Sequence, residues 1–313
     1  MSKNAKIFVA GHQGLVGSAL VRKFQSKGFD NIIVSNRSEL DLVNQLAVEQ
    51  YFSKNLPDVV IIAAARVGGI QANKSYPAEF IRDNLQIQTN LIESAYQYGA
   101  KKLLFLGSSC IYPRLAPQPI SEDCLLTGPL EETNKNYAIA KIAGIQMCQA
   151  YREQYGVNAI SAMPTNLYGP GDNFSLDNSH VVPALIRKIH EAKFSEKNSL
   201  VIWGSGEPRR EFLYVDDLSD ACLFLLKNYN EEKPINIGWG EDISVLELAE
   251  LISSVIGYTG KINFDMSRPD GTPRKLLDVS RLKALGWQAM TQLRAGIETT
   301  YKWYLSNIHL CRS

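Results

Sequence analysis

Four side chains in one stretch of the chain have the types and spacing to move protons at a carbonyl. Gly107-Ser108-Ser109-Cys110-Ile111-Tyr112-Pro113 follows the apolar run Leu103-Leu104-Phe105-Leu106, and Tyr137-Ala138-Ile139-Ala140-Lys141 closes the stretch. The apolar run reads as a buried strand. Ser108 and Cys110 then sit at its carboxyl end, where open α/β sheets bind ligands. Tyr137 and Lys141 begin a helical pattern and form an i,i+4 pair on one face. A free tyrosine titrates at about pH 10. A lysine ammonium one turn away is expected to favour the phenolate and bring that value toward neutrality. A serine hydroxyl would hold a carbonyl beside the phenol. Tyr-x-x-x-Lys alone also describes an ordinary surface pair. The serine-bearing strand end and a glycine-rich turn at the N-terminus favour the chemical reading.

These groups need a scaffold, and the first half of the chain supplies its pattern. Lys6 to Ala10 reads as a short strand, followed by Gly11-His12-Gln13-Gly14-Leu15-Val16-Gly17 and a helical run to Lys27. Gly-x-x-Gly-x-x-Gly between a strand and a helix suits a dinucleotide: tight turn, close backbone approach to a pyrophosphate, close helix packing. A second strand, Asn31 to Ser35, ends at Asn36-Arg37 instead of the carboxylate that would take an NAD ribose hydroxyl. An arginine there attracts a 2′-phosphate, so the reading is NADP over NAD; the other reading of Arg37 is a solvated loop charge. Asp41 either caps the next helix or meets the adenine amine. Asp58 to Ala65 has the continuous apolar character of a doubly buried parallel strand. Arg66 to Ile70 is a loop under which a ribose would lie. Helix Tyr76 to Tyr98, the long loop Pro113 to Asn134, helix Tyr137 to Tyr155 and strand Val157 to Met163 complete the half. The loop is long enough to cover a substrate. Alternation of this kind predicts a doubly wound parallel sheet.

The second half changes in composition. Pro164 to Gly171 reads as loop, and Asn178-Ser179-His180-Val181-Val182-Pro183 begins a helix. Leu200 to Trp203 is a short strand, Glu207 to Phe212 a basic loop, and Val215 to Lys227 a helix able to pack back on the first sheet. Ser244 and Glu247 form a capping box at the next helix. Lys261 to Phe264 is a strand, Arg268 to Arg274 a loop, and Leu293 to Leu305 a last helix. The expected division is residues 1–165, with 213–240 packing back, as a cofactor domain, and 166–313 as a smaller α/β substrate domain. Lys188, Arg210 and Arg274, with Trp203 and Asp270, suit a nucleoside diphosphate: cations for the pyrophosphate, an aromatic for the base, a carboxylate for ribose hydroxyls.

Bulk properties exclude several classes. The chain has 313 residues and a net charge of +1, with charges well mixed, so nothing marks a nucleic-acid or membrane partner. Its longest apolar run, Val59 to Ala65, is far too short to span a bilayer. The opening Met1 to Lys6 is polar and lacks a signal-peptide core. Five cysteines (Cys110, Cys124, Cys148, Cys222, Cys311) with no Cys-x-x-Cys favour reduced thiols and a cytoplasmic setting. The four histidines join no cluster with metal-ligand spacing, so no metal is expected.

Together these motifs resemble the extended short-chain dehydrogenase/reductase family over essentially the whole chain. The elements that carry the likeness are Gly107 to Pro113, Tyr137 to Lys141, Pro164 to Pro170, Asn178 to Val181, Arg210-Glu211-Phe212, and Lys261 through Asp278. Dehydratases of the family usually carry Thr-Asp-Glu where this chain has Ser-Ser-Cys. The resemblance implies a Rossmann-type fold and a two-step activity on GDP-4-keto-6-deoxy-D-mannose. Both carbons flanking the ketone would be epimerised, and NADPH would then reduce the ketone. By motif position it implies Ser108, Tyr137 and Lys141 as the reductive trio, with Cys110 and His180 as the epimerising acid–base pair. Cofactor contacts would come from Gly11, His12, Gln13, Gly14, Leu15, Val16, Gly17, Leu106, Gly107, Ser108, Ser109, Lys141, Pro164, Thr165, Asn166, Leu167 and His180. Substrate contacts would come from Lys188, Trp203, Arg210 and Asp270. Relatives often carry arginine where this chain has Gln13, which leaves Arg37 a larger share of NADP selectivity. A homodimer with a helix pair at its interface is also implied. Two other readings stand beside this one: a nucleotide-sugar 4-epimerase that retains NAD, and a non-enzymatic NADP sensor. The intact trio argues against the sensor, which needs no acid–base groups.

Overall fold

A computed structural model describes residues 1–176, 179–267 and 270–309. Asn178, Arg268, Pro269 and Cys311, named above, lie outside the described residues.

Strand β1 (Ile7–Ala10) is wholly buried and leads through the glycine turn into α1 (Leu15–Ser26). Then come β2 (Ile32–Ile33), α2 (Gln45–Asn55), β3 (Val59–Ile62), α3 (Ile70–Ser75), α4 (Pro77–Gln97) and β4 (Lys102–Leu106). The half closes with α5 (Lys135–Tyr155) and β5 (Ala159–Pro164). The cap of α2 is Asn44, whose side chain accepts from Ala47 N; Asp41, the expected candidate, instead accepts from Val43 N within the preceding turn.

Past β5 the chain forms β6 (Asn166–Tyr168), α6 (Val181–Phe194), β7 (Ser199–Trp203), β8 (Arg209–Arg210), β9 (Phe212–Tyr214) and α7 (Val215–Asn228). It ends with β10 (Ile235–Ile237), β11 (Ile243–Ser244), α8 (Val245–Ile256), β12 (Lys261–Asp265), β13 (Arg274–Lys275), α9 (Ser280–Ala284) and α10 (Leu293–Asn307). The capping box at Ser244 and Glu247 forms as expected. Three stretches read as loop in fact contain ladders: β6 pairs β9, and β8 pairs both β11 and β13. Strands of two or three residues are too short to show alternation, so only pairing reveals them.

The main sheet runs β10-β5-β4-β3-β1-β2, all parallel. Its strands alternate between two cores with period two. Ile7, Val9, Leu104 and Leu106 face the layer containing Leu20, Phe24, Leu218 and Leu225 of α1 and α7. Phe8, Ala10, Leu103 and Phe105 face Phe52, Leu91 and Ile145 of α2, α4 and α5. A third core joins α6, α8 and α10 through Ile186, Leu248, Ile252 and Tyr304. Strand order reverses between β1 and β3, and such a switch point opens a crevice at the carboxyl ends.

The loop from Pro113 to Asn134 is pinned, not free. Ala116 and Ile120 are buried, and Ile120 exchanges backbone bonds with Leu276 and Asp278. Gln118 bonds the backbone of Arg274 and Leu276, and Glu131 accepts from Thr272. The loop therefore fixes the β13 segment over the carboxyl ends of β4 and β5.

Candidate active site

The glycine turn sits at the switch point. Gly11 has φ +86°, and a Cβ there would lie 2.7 Å from Ala64 N at the end of β3, so both the turn and the approach require glycine. A Cβ on Gly17 would collide with the Gly11 carbonyl. Gly14 differs: the nearest atom to its Cβ position is Gly11 O at 3.5 Å, ordinary contact, so the protein itself leaves room there. The amino end of α1 has no side-chain cap and no acidic residue in its first turn. Free N–H groups, the helix dipole and a bare glycine suit a diphosphate. His12 and Gln13 lie on the turn, and Val16 packs into the core. After β2, the Asn36 side chain accepts from Ser38 N and Glu39 N at 3.0 and 3.1 Å, a turn that leaves Arg37 exposed.

At the end of β4, Ser108 begins a single helical turn, its Oγ accepting from Cys110 N at 3.2 Å. Lys141 is buried, and its ammonium donates to the Leu106 carbonyl at 2.8 Å while lying 4.9 Å from the Phe105 ring centroid and 5.9 Å from that of Tyr137. Burial lowers its pKa to about 8. Tyr137 departs from expectation. Burial raises its pKa, the Cys110 charge raises it further, and the Ser108 hydrogen bond offsets only part of this. The Lys141 ammonium, 5.9 Å from the ring centroid, does not reverse the shift. Tyr137 thus rests as a neutral phenol, the form that donates a proton.

Cys110 goes the other way. Burial alone would raise its pKa, but the Lys275 charge, the Ser108 and Lys275 hydrogen bonds and the Arg210 charge lower it below the ordinary thiol value. Lys275 Nζ and Asn134 Nδ2 each donate to Cys110 Sγ at 3.2 Å. His180 is the N-cap of α6 and has an exposed face. The protein crowded around its ring and then the Lys275 charge lower its pKa below 6.5. Lys275 was not foreseen; its neighbour Arg274 was. The register of β8 with β13 pairs Arg209 with Arg274 and Arg210 with Lys275. Successive side chains alternate faces. Arg209 and Arg274 both ion-pair outward with Asp242, leaving Arg210 and Lys275 facing the cleft.

The nucleotide-binding candidates gather beside this ribbon. Lys188 Nζ lies 5.0 Å from the ring centroid of Trp203, which is 56% exposed and offers a flat aromatic surface. Asp270 accepts from Ser205 N at 3.0 Å and Ser205 Oγ at 2.7 Å, locking the turn after Trp203. The charge of Arg210 reaches both Cys110 and Asp270. Arg274 is spent on Asp242 and does not join them. Pro164, Thr165, Asn166 and Leu167 run from β5 into β6, with the Thr165 and Asn166 side chains bonded to the Glu211 carbonyl at 3.3 and 2.8 Å. Gly107 is held under Met163, Ser109 is buried, and no cluster able to hold a metal ion occurs among the described residues.

Comparison with known proteins agrees with this arrangement. Residues 7–238 match the model of the NAD dependent epimerase/dehydratase family. GDP-L-fucose synthase 1 of Arabidopsis thaliana is 60% identical over 306 residues, covering 98% of this chain and 95% of the relative. GDP-L-fucose synthase of Escherichia coli strain K12 is 51% identical, covering 98% of each chain. The crystal structure of a GDP-L-fucose synthetase from Naegleria fowleri bound to NADP superposes with TM-score 0.92 at 30% identity, covering 100% of this chain and 98% of that one.

The two glycines separate structure from binding. Gly17→Ala is expected to lose about 1–3 kcal/mol of stability through overpacking. Gly14→Ala should lose less than about 1 kcal/mol yet weaken dinucleotide binding more than its stability loss explains. Urea unfolding and a dinucleotide titration read the two effects.

Proposed function

The chain belongs to the NAD dependent epimerase/dehydratase family, and we propose that it converts GDP-4-keto-6-deoxy-D-mannose to GDP-L-fucose by epimerisation at both carbons beside the ketone followed by reduction. The observation that carries the assignment of roles is the pair of donors on Cys110, Lys275 Nζ and Asn134 Nδ2 each 3.2 Å from its sulfur, which bias that thiol toward thiolate while the neighbouring Tyr137 stays a neutral phenol. Titratable groups pushed apart in this way mark separate acid and base duties.

The chemistry divides accordingly. Ser108 and Tyr137 hold the ketone oxygen, which acidifies the adjoining carbons because the carbanion is an enolate. The Cys110 thiolate takes a proton from one face, and His180 returns one to the other. The low resting proton affinity of His180 makes its imidazolium a strong donor, and the growing enolate charge offsets the nearby cation. After both inversions Tyr137 gives its proton to the ketone oxygen, and Lys141 stabilises the phenolate left behind. NADP(H), when bound, supplies the hydride. Gly11 to Gly17 with the amino end of α1 would hold its diphosphate, Arg37 its 2′-phosphate, Leu106 to Ser109 and Pro164 to Leu167 the nicotinamide half, and Lys141 the adjoining ribose. Lys188, Trp203, Arg210 and Asp270 would hold the GDP moiety. In this reading residues 1–165 with 213–240 serve the cofactor and 166–313 serve the sugar nucleotide.

Incubation in heavy water tests the whole. Wild type should place deuterium on the two carbons flanking the ketone and consume NADPH in step with product; an NAD-retaining 4-epimerase would consume none. Tyr137→Phe should lower turnover by about 10²–10⁴-fold while NADPH still binds, and Cys110→Ser should slow the deuterium exchange sharply. Exchange at the wild-type rate in both Cys110→Ser and His180→Gln would sink the assignment of the pair.

Cofactor choice gives a separate check. Arg37→Ala should raise the Michaelis constant for NADPH and leave that for NADH nearly unchanged.

Assembly and setting complete the reading. Tyr96 of α4 and Tyr155 of α5 stack at 4.4 Å on the outer face of that helix pair, and both are exposed. We place a homodimer interface there, in a reducing cytoplasm that suits the free Cys110, Cys124, Cys148 and Cys222. No described helix is long and apolar enough to cross a membrane. Sedimentation should report a dimer, and Tyr155→Glu should shift it toward monomer.

A further inference from the structure

The inner face of the β8–β13 ribbon presents Arg210 and Lys275 as direct register partners. Like charges placed opposite each other repel, so an anion between or beside them is needed to make the arrangement favourable. For Lys275 the partner is the sulfur of Cys110, which Lys275 Nζ and Asn134 Nδ2 both approach to 3.2 Å. A neutral thiol is a weak acceptor, whereas a thiolate takes both donors strongly. The groups around this sulfur are Lys275 and Arg210 from the ribbon, Ser108 from its own strand end, and Asn134 and Tyr137 from the start of α5, while His180 of α6 feels the same Lys275 charge. The nearby carboxylates Glu131 and Asp270 act on Arg210. Outside the cleft, Asp242 holds Arg209 and Arg274, so Lys275 can turn nowhere but inward without breaking the ladder.

We propose that Lys275 is a positioning residue for the epimerisation: its ammonium holds Cys110 as the thiolate base and makes the imidazolium of His180 a readier proton donor. The inference rests on the reading that Cys110 and His180 carry the inversions. The proton balance closes. The thiolate takes the carbon-bound proton and becomes a thiol, its charge passing to the enolate oxygen. The imidazolium then protonates the opposite face and becomes neutral, and a proton passes from thiol to imidazole through solvent to restore the pair. The Lys275 charge contributes in the same sense at both ends, favouring the ionised thiol and disfavouring the protonated ring. Asn134 adds the second donor to the sulfur, and its own Oδ1 is buried without a partner, an acceptor left for a substrate hydroxyl.

The test is the pH dependence of Cys110 alkylation by iodoacetamide, followed by peptide mass mapping, in wild type, Lys275→Met and Lys275→Arg without substrate. A thiol ionised early alkylates at lower pH, so wild type should inflect below the ordinary thiol value of about 8.5. Lys275→Met should move the inflection upward by about 1–3 in pH, and Lys275→Arg should stay near wild type. In heavy water at neutral pH, the substrate exchange rate of Lys275→Met should fall by about 10–10³-fold, the loss of thiolate that follows from the same shift, and the deficit should shrink as pH rises. A purely structural role would not produce that recovery. An alkylation profile of Lys275→Met that superposes on wild type overturns the proposal. If Lys275→Met fails to fold, the thiolate absorbance difference between wild type and Cys110→Ser decides: absence of a thiolate signal at neutral pH also overturns it. Alkylation needs no substrate, so a shifted profile in a protein that exchanges nothing would fell the activity reading and leave the Lys275–Cys110 pair standing.

Discussion

A single buried carboxylate, Glu211, holds the two halves of the molecule in register. It is fully buried and accepts from Gly240 N at 2.7 Å and from Leu277 N at 3.0 Å, while its backbone carbonyl takes the Thr165 and Asn166 side chains. Burial raises its pKa, and the N–H donors of Gly240, Leu277 and Trp239 and the Thr165 hydroxyl work against that rise. A buried charge of this kind is tolerable only when its oxygens are satisfied. The geometry that satisfies them joins the end of β5, the turn after β10 and the segment after β13. Lys275, two residues before Leu277, and Arg210, one before Glu211, are carried into the cleft as a result.

The electrostatics of the site follow from that placement. A chain of net charge +1 pairs Arg210 with Lys275 on one ribbon, sets Lys188 against Trp203 and buries Lys141 at the end of β4. Such cations suit anionic ligands and a thiolate. The ammonium of Lys141 is instead held by the Leu106 carbonyl. Separation of the two lysines explains how a phenol stays neutral within electrostatic reach of an ionisable thiol. The phenol sees burial and a neighbouring thiolate, and the thiol sees a direct ammonium contact.

Much of this was legible in the chain. The parallel sheet announced itself because strands buried on both faces are continuous apolar runs, and the helices between them carry long periodic patterns. The glycine turn was legible because Gly11 and Gly17 answer to local sterics that any strand–turn–helix imposes. Ser108, Cys110, Tyr137 and Lys141 were legible because a strand end and a helical i,i+4 spacing place side chains without reference to the rest of the fold. The short ladders of the second half were not, since β6, β8, β9 and β13 span only two or three residues each.

The sequence by itself determined which residue types were present for the chemistry and where the glycine turn joins a strand to a helix, because those features depend on neighbours close in the chain. Tertiary structure decided their ionisation. Tyr137 remains a phenol instead of drifting toward phenolate because burial and the Cys110 charge outweigh the Ser108 hydrogen bond. It also decided between Arg274 and Lys275, adjacent residues of the same charge. Only the pairing of β13 with β8 fixes which of the two meets Asp242 and which meets the sulfur of Cys110. Alternation across a ribbon has no phase until its partner strand supplies one.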